Sequence, residues 1–358
     1  MNQLKPKKLV LETGQEFSGT GFASDSPVVG EIVFNTSMVG YQEIVSDPAY
    51  AGQIVVMTYP LMGQYGMTEE DFESKSAFIS GLVVRECCET PSNFRFTKTL
   101  QEELEDRGVA GIEGLDTRML TRVIRDKGYM RAAIVDADMD TKAALDLIFS
   151  TKVSGNLVSK VSCTKRWFSR TPHHNFDVVI VDCGLKHSIV SALNSRGCNV
   201  TVVPYNAGAA EIESFNPDGI IISNGPDDPR EFPELMDLVN QLKGRCPILG
   251  IALGHEIIAL SYGAKIGRLG CGHHGGHPVR NLETGKIITA EHNHNFHVLE
   301  DSLEGTGLKV TYRDVADGTV DGLECASDKV FSVQFYPDGA PGPKESDVFD
   351  KFVKMMEE

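Results

Sequence analysis

Residues 247–256, PILGIALGHE, decide how the second half of the chain reads. An apolar run, Pro247–Ile251, contains Gly250 and turns at Ala252. It then passes Gly254 into a stretch with apolar residues at helical spacing. A buried strand that turns sharply into a helix needs small residues where the two backbones crowd. It also presents its central side chain at a helix N-terminus, where a thiolate would be stabilised. That is the frame of a nucleophile elbow, yet the central residue is Ala252, which carries no nucleophile. An ordinary strand–helix junction has the same pattern, so the motif alone settles only local geometry.

The flanking segments alternate between strand and helix. FDVVIVDCG (176–184), NVTVVPYN (199–206) and GIIISNGP (219–226) are near-continuous apolar runs. KHSIVSALNSRG (186–197) and PELMDLVNQLKG (233–244) are amphipathic and stop at glycine. This order predicts a parallel α/β sheet whose ligands bind beyond the carboxyl ends of its strands. Three such ends carry distinctive residues: SNGPDDP (223–229), GIALGHE (250–256) and FSVQFYPD (331–338). Beyond residue 287 the chain is strand-rich, and a closing helix is expected over 347–356.

The first half has a different texture. KKLVLETGQEFSGTGF (7–22), GEIVFNTSM (30–38) and GQIVVMTYP (52–60) are short strand-like runs between turn residues. Helices are expected over 99–107, 116–127 and 141–149. Leu115, Met119, Leu120, Val123 and Ile124 form the apolar stripe of the second, Asp116 or Thr117 is its N-cap and Gly128 its stop. The polar, basic stretch 151–176 reads as a linker. Its Trp167 is expected to pack the two domains together.

Composition bounds the function. The 358 residues are enough for two domains. With 34 Lys plus Arg against 50 Asp plus Glu, the net charge is −16, which argues against non-specific binding to nucleic acid or anionic membranes. Eight scattered Cys without a C-x-x-C pair fit a reducing compartment. Cys87-Cys88 reads as packing rather than redox chemistry. The N-terminus, MNQLKPKKLVLETG, has no apolar run of signal-peptide length, and no segment reaches membrane-spanning length. Cytoplasm is the expected compartment. Seven of the ten His (His255, His273, His274, His277, His292, His294, His297) fall within 43 residues.

The ordered set SNGPDDP, PILGIALGHE, GHHGGHP (272–278), TAEHNHNF (289–296) and FSVQFYPDG (331–339) resembles the glutaminase domain of class I glutamine amidotransferases. GEIVFNTSMVGYQEIVSDPAY (30–50) and GLDTRMLTRVIRDKGYMRAAI (114–134) resemble the N-terminal domain of the carbamoyl-phosphate synthetase small subunit. DGTVDGLE (317–324) and YPDGAPGPKESDVFDKF (336–352) resemble that subunit's C-terminal end. The resemblance implies an α/β chain: an N-terminal small-subunit-type α/β domain over 1–152, a linker over 153–176, and a class I amidotransferase-like domain with a parallel or mixed sheet over 177–358. It implies a carbamoyl-phosphate-synthetase-type large subunit as partner, with ATP used only on that separate subunit, and pyrimidine or arginine synthesis as the pathway.

The departures from the family pattern are concentrated in its catalytic positions. The family elbow G-I-C-L-G-H-Q reads here with Ala252 for Cys and Glu256 for Gln. In Q-Y-H-P-E the family's His activates the thiol and its Glu orients the His; these positions are Tyr336 and Asp338. An unperturbed phenol titrates near ~10 and is a poor general base. The oxyanion loop S-N-G-P-G-D-P has Asp227 for its second Gly, where a carboxylate would oppose a developing oxyanion. Family glutamine-site positions fall on Ala49, Gly225, Asp227, Leu253, Glu256, His292, Asn293, Asn295 and Phe296, and most are altered. G-G-N-H-P has become Gly275-Gly276-His277-Pro278. Neither Cys246 nor Cys271 has a matched base. The resemblance therefore implies a folded amidotransferase-like domain without the family's glutaminase machinery.

The replacements suit a second reading. Glu256, His292, His294 and Asp338 are metal-ligand types, and His292 and His294 share one face of a strand. A Zn-like transition metal is the candidate cofactor, activating water for attack on a small nitrogen compound. Against this, His255, His273, His277 and His294 match positions that are His in ordinary family members. Only His274, His292 and His297 are additional.

Overall fold

The computed structural model describes residues 5–152, 155–340 and 346–358. Residues 1–4 of the first expected domain, 153–154 of the expected linker and 341–345 within YPDGAPGPKESDVFDKF lie outside them. The chain divides into two compact units: residues 1–155 with 270–274, and residues 156–269 with 275–358.

In the first unit seven strands close a barrel. Their order around it is Lys5–Leu11, Glu16–Ala23, Ala110–Glu113, Gly81–Val83, Gln53–Met57, Val28–Asn35 and Arg131–Asp136. Alternate residues feed opposite faces, as strand geometry requires. Ile32, Ile54 and Val56 pack with Leu120 and Ile124 of the helix Thr117–Lys127. Val33, Val55 and Met57 pack with Leu100 and Leu104 of the helix Leu100–Asp106. Thr99 and Glu102 form a reciprocal capping box on the latter helix. Asp116 caps the former, and Gly128 ends it at φ 78°. Met119, expected in that helix's apolar stripe, is half exposed. Cys87 packs against the first unit's core, and burial pushes its thiol up to about 12.

The second unit is built on one sheet of ten strands among the described residues. Phe176–Asp182, Cys198–Pro204, Gly219–Ile222, Ile248–Ile251 and Val330–Val333 pair in parallel. Val320–Cys325 joins Val330–Val333 antiparallel and leads to Ile287–Val298, Ile266–Asn281 and Lys309–Asp314. Gly219–Ile222, Ile248–Ile251 and Val330–Val333 are buried throughout, which explains their apolar sequences.

The expected linker is corrected by the structure from residue 157 onward. Residues Leu157–Val161 form a short helix. Trp167–Ser169 pair antiparallel with Cys198–Pro204 as an edge strand of the sheet. Trp167 packs against the second unit's core and meets the His187 ring edge-on at 6.4 Å. It is therefore part of that unit's packing. Polar residues on a half-exposed edge strand hide the period-2 signal that would have revealed it.

Candidate functional site

Ile248–Ile251 lies between two parallel neighbours, Gly219–Ile222 and Val330–Val333. Its carboxyl end runs directly into the helix Leu253–Ser261. Ala252, at the junction, has φ 51° and ψ −106°, an unfavourable conformation for a residue with a Cβ. Its N–H donates to Val333 O at 2.9 Å, and its carbonyl accepts from His255 N and Glu256 N. Gly254 is obligatory here: a Cβ on it would stand 2.1 Å from Ile222 O. The strand, the positive-φ junction and the close-packed helix of the expected elbow are thus all present, and Ala252 puts a methyl group at the turn.

Tyr336 and Ala252 share one buried cluster. Asp338 does not serve an imidazole. Its Oδ2 accepts from Lys186 Nζ at 2.8 Å and from Ser188 Oγ at 2.8 Å. Lys186 also donates to Ala340 O at 2.7 Å and stands 4.5 Å from the centroid of the Tyr336 ring. The Tyr336 ring thus lies against a buried ammonium–carboxylate pair formed by Lys186 and Asp338. Sequence reading missed Lys186 and Ser188. Their position just past the carboxyl end of the parallel strand Phe176–Asp182 was the available signal.

Asp227 lies in the loop that follows the strand Gly219–Ile222. It holds φ 77°, a conformation that favours glycine. Its carboxylate, however, is engaged by backbone: Oδ2 accepts from Leu157 N and from Val158 N. It caps the short helix Leu157–Val161 instead of standing as an uncompensated charge in the loop. Beside it, Gly225 packs so closely that a Cβ would meet Cys183 O at 2.2 Å.

Glu256 lies in the first turn of the elbow helix and is buried. Burial pushes its carboxyl up to about 8, and the hydrogen bond from Gln334 Nε2 at 3.1 Å opposes that rise only in part. His255 is sealed beside it, with Nδ1 2.9 Å from Ser332 Oγ, and burial pulls its imidazole down to about 3. Burial raises the thiols of Cys246, to about 11, and Cys271, which makes both poor nucleophiles. Leu253, Asn293 and Phe296 are buried in the second unit, with Asn295 on the same strand. Ala49 belongs to the first unit, in a 3-10 turn capped by Asp47.

Of the four residues expected as metal ligands, the structure brings two together. His292 and His294, on Ile287–Val298, converge with Asp321 of the neighbouring strand Val320–Cys325. Asp338 is committed to Lys186, and Glu256 to Gln334. Asp321 was missed in the sequence; an acid inside the run VDGLEC was its only mark. His277 lies alongside, its ring 5.2 Å from that of His292 and its Nδ1 3.0 Å from Asp314 Oδ2.

Residues 9–134 match the family described as carbamoyl-phosphate synthase small chain, CPSase domain, and residues 179–356 match glutamine amidotransferase class-I. The chain is 43% identical over 353 residues to the carbamoyl phosphate synthase pyrimidine-specific small chain of Bacillus subtilis, covering 98% of this chain and 96% of that one. The chain belongs to the carbamoyl-phosphate synthase small chain family. The pyrimidine-specific small chain of Halalkalibacterium halodurans is 44% identical, covering 98% of this chain and 97% of that one. The small chain of Bacillus caldolyticus is 42% identical, covering 98% and 97%. The closed barrel thus corresponds to the small chain's CPSase domain and the mixed sheet to its amidotransferase domain. No helix among the described residues is long and apolar enough to cross a membrane.

Proposed function

We propose that the chain is a carbamoyl-phosphate synthase small-chain protein that does not hydrolyse glutamine. It serves as the partner of a large synthetase subunit in the cytoplasm. The carrying observation is the elbow itself: Ala252 keeps the strained φ of a nucleophile position, while Asp338 is bound by Lys186 and Ser188 rather than aligned to a base. Acyl transfer from glutamine needs a nucleophile and a proton acceptor within hydrogen-bond reach of it. Ala252 supplies neither a hydroxyl nor a thiol, and Tyr336 beside it replaces the family's imidazole. The loss of chemistry without loss of frame supports a role in assembly. The synthetase would then draw on free ammonia for carbamoyl phosphate destined for pyrimidine or arginine synthesis.

The test pairs the intact chain with the large synthetase subunit encoded in the same genome. Co-purification, carbamoyl phosphate formed from ammonia, and no glutamate released from glutamine are the expected results. Glutamate release at a rate above the uncatalysed background by the purified pair would overturn the reading. The alternative, a metal-dependent hydrolase at the elbow, has less support. The carboxylates it would recruit there, Glu256 and Asp338, already have partners.

A further inference from the structure

We infer that His292, His294 and Asp321 form a binding site for one divalent transition-metal ion, separate from the elbow. The three side chains are buried, and their ligand atoms all lie within 4.8 Å of one another. The argument turns on which ring nitrogen faces the cluster. His292 Nδ1 is 3.1 Å from Ala290 O, and His294 Nδ1 is 2.7 Å from Phe296 O. A carbonyl can only accept, so both Nδ1 atoms carry the proton and donate it. Each neutral ring then turns a lone pair on Nε2 toward the cluster. Hydrogen-bonding the remote nitrogen to a backbone carbonyl is the arrangement that orients a metal-binding imidazole.

Asp321 completes the set. Its carboxylate is sealed from solvent, and neither oxygen has a hydrogen-bond donor among the described residues. Its Oδ2 stands 3.4 Å from His292 Nε2. Two imidazole lone pairs and a carboxylate facing one another are mutually repulsive unless something positive lies among them. One proton on His292 answers part of this. That proton serves the His292–Asp321 pair alone, whereas one cation among the three ligand atoms serves all of them. Two imidazoles and a carboxylate suit Zn²⁺ or a similar ion, whose ligand atoms at about 2.0–2.2 Å from the metal sit roughly 3.4 Å apart in a tetrahedron. The His292–Asp321 separation already meets that value.

The site is distinct from the old catalytic position. Tyr336 N donates to Glu291 O at 2.8 Å in an isolated antiparallel bridge, so Glu291 and Tyr336 share a face. Their neighbours His292 and Phe335 take the other, with ring centroids 6.1 Å apart. The metal would lock the strand Ile287–Val298 to Val320–Cys325 and thereby brace the segment that carries Asn293, Asn295 and Phe296.

The experiment uses the full chain, freed of any affinity tag and stripped with a chelator, titrated with Zn²⁺ by calorimetry and with Co²⁺ by visible absorption. One equivalent of each is expected, with the d–d bands of a low-coordinate Co²⁺. His292→Gln and Asp321→Asn should each weaken binding at least about tenfold and lose those bands. Zn²⁺ should raise the melting temperature of the parent chain, because an ion bound only by the native state stabilises it. Uptake below about a tenth of an equivalent by the parent chain would overturn the inference whatever the variants do. So would stoichiometric uptake that persists in His292→Gln/Asp321→Asn, because other histidines would then be the ligands. Neither readout involves glutamine, so this result stands apart from the glutaminase test.

Discussion

Lys186 Nζ lies 2.8 Å from Asp338 Oδ2, and each side chain is 1% exposed. A buried ion pair contributes little relative to an apolar pair, but breaking one side of it is expensive. Lys186→Met should therefore destabilise the chain by about 3–5 kcal/mol, because Asp338 is left charged and sealed. Lys186→Met/Asp338→Asn should recover most of that loss. Urea midpoints measure both, and a single variant within the error of the parent would contradict the pairing.

The junction at Ala252 stores backbone strain. Positive φ at Ala252 is natural for glycine, so Ala252→Gly should raise stability by about 1 kcal/mol, strain relief exceeding the entropy lost by glycine. A thermal melt reads this. A lower melting temperature would mean that the junction is relaxed.

A thiol at the elbow should not by itself confer glutaminase activity. Ala252→Cys supplies a nucleophile, but Tyr336 still lies against Lys186 and Asp338 is still bound by Lys186. The variant is expected to release no glutamate from glutamine above the parent's background. Adding Tyr336→His is the comparison that separates a missing base from a blocked substrate pocket.

Glu256 gives the chain a pH signature. Its folded carboxyl is raised to about 8 from an ordinary 4.5, so the folded state keeps a proton that the unfolded chain releases. That contribution is full below about pH 4.5 and is lost as pH rises through 8. His255 acts in the other direction: held down to about 3 from 6.5, it contributes fully above 6.5 and is lost as pH falls toward 3. The two oppose each other between 4.5 and 6.5, which leaves the window from 6.5 to 8 to Glu256. Across that window Glu256→Gln should gain on the parent by about 2 kcal/mol, as buffered denaturant titrations would show. A pH-independent difference would place a charged, solvated Glu256 in the fold.

Asp227 combines two opposing effects. Asp227→Ala keeps the unfavourable φ and removes the cap from Leu157 and Val158, so a loss of about 1–2 kcal/mol is expected. Asp227→Gly removes cap and strain together and should lie close to the parent. Equal losses in the two would mean that backbone strain at 227 is negligible.

The parallel strands and the elbow were legible because both leave marks in local order: unbroken apolar runs, and glycines at fixed offsets around Ala252. The N-cap at Asp116 and the glycine stop at 128 were legible for the same reason. Closure of the first unit's seven barrel strands was not, because closure depends on pairing between distant segments. The edge strand holding Trp167 was hidden by its polar surroundings. In the site, the substitutions at 252, 336 and 338 were readable one by one, whereas their partners were not. Lys186 lies 152 residues from Asp338 along the chain, and Asp321 meets His292 only through strand pairing.

Trp167 has a practical consequence. It is the chain's only tryptophan, and it is built into the edge strand of the second unit. Tryptophan emission therefore watches the amidotransferase-like unit alone, while the barrel is visible only through tyrosines such as the stacked pair Tyr41 and Tyr65. Following tryptophan emission beside the far-ultraviolet circular dichroism of the whole chain during one denaturation distinguishes a chain that melts as a single cooperative body from one whose halves come apart in turn.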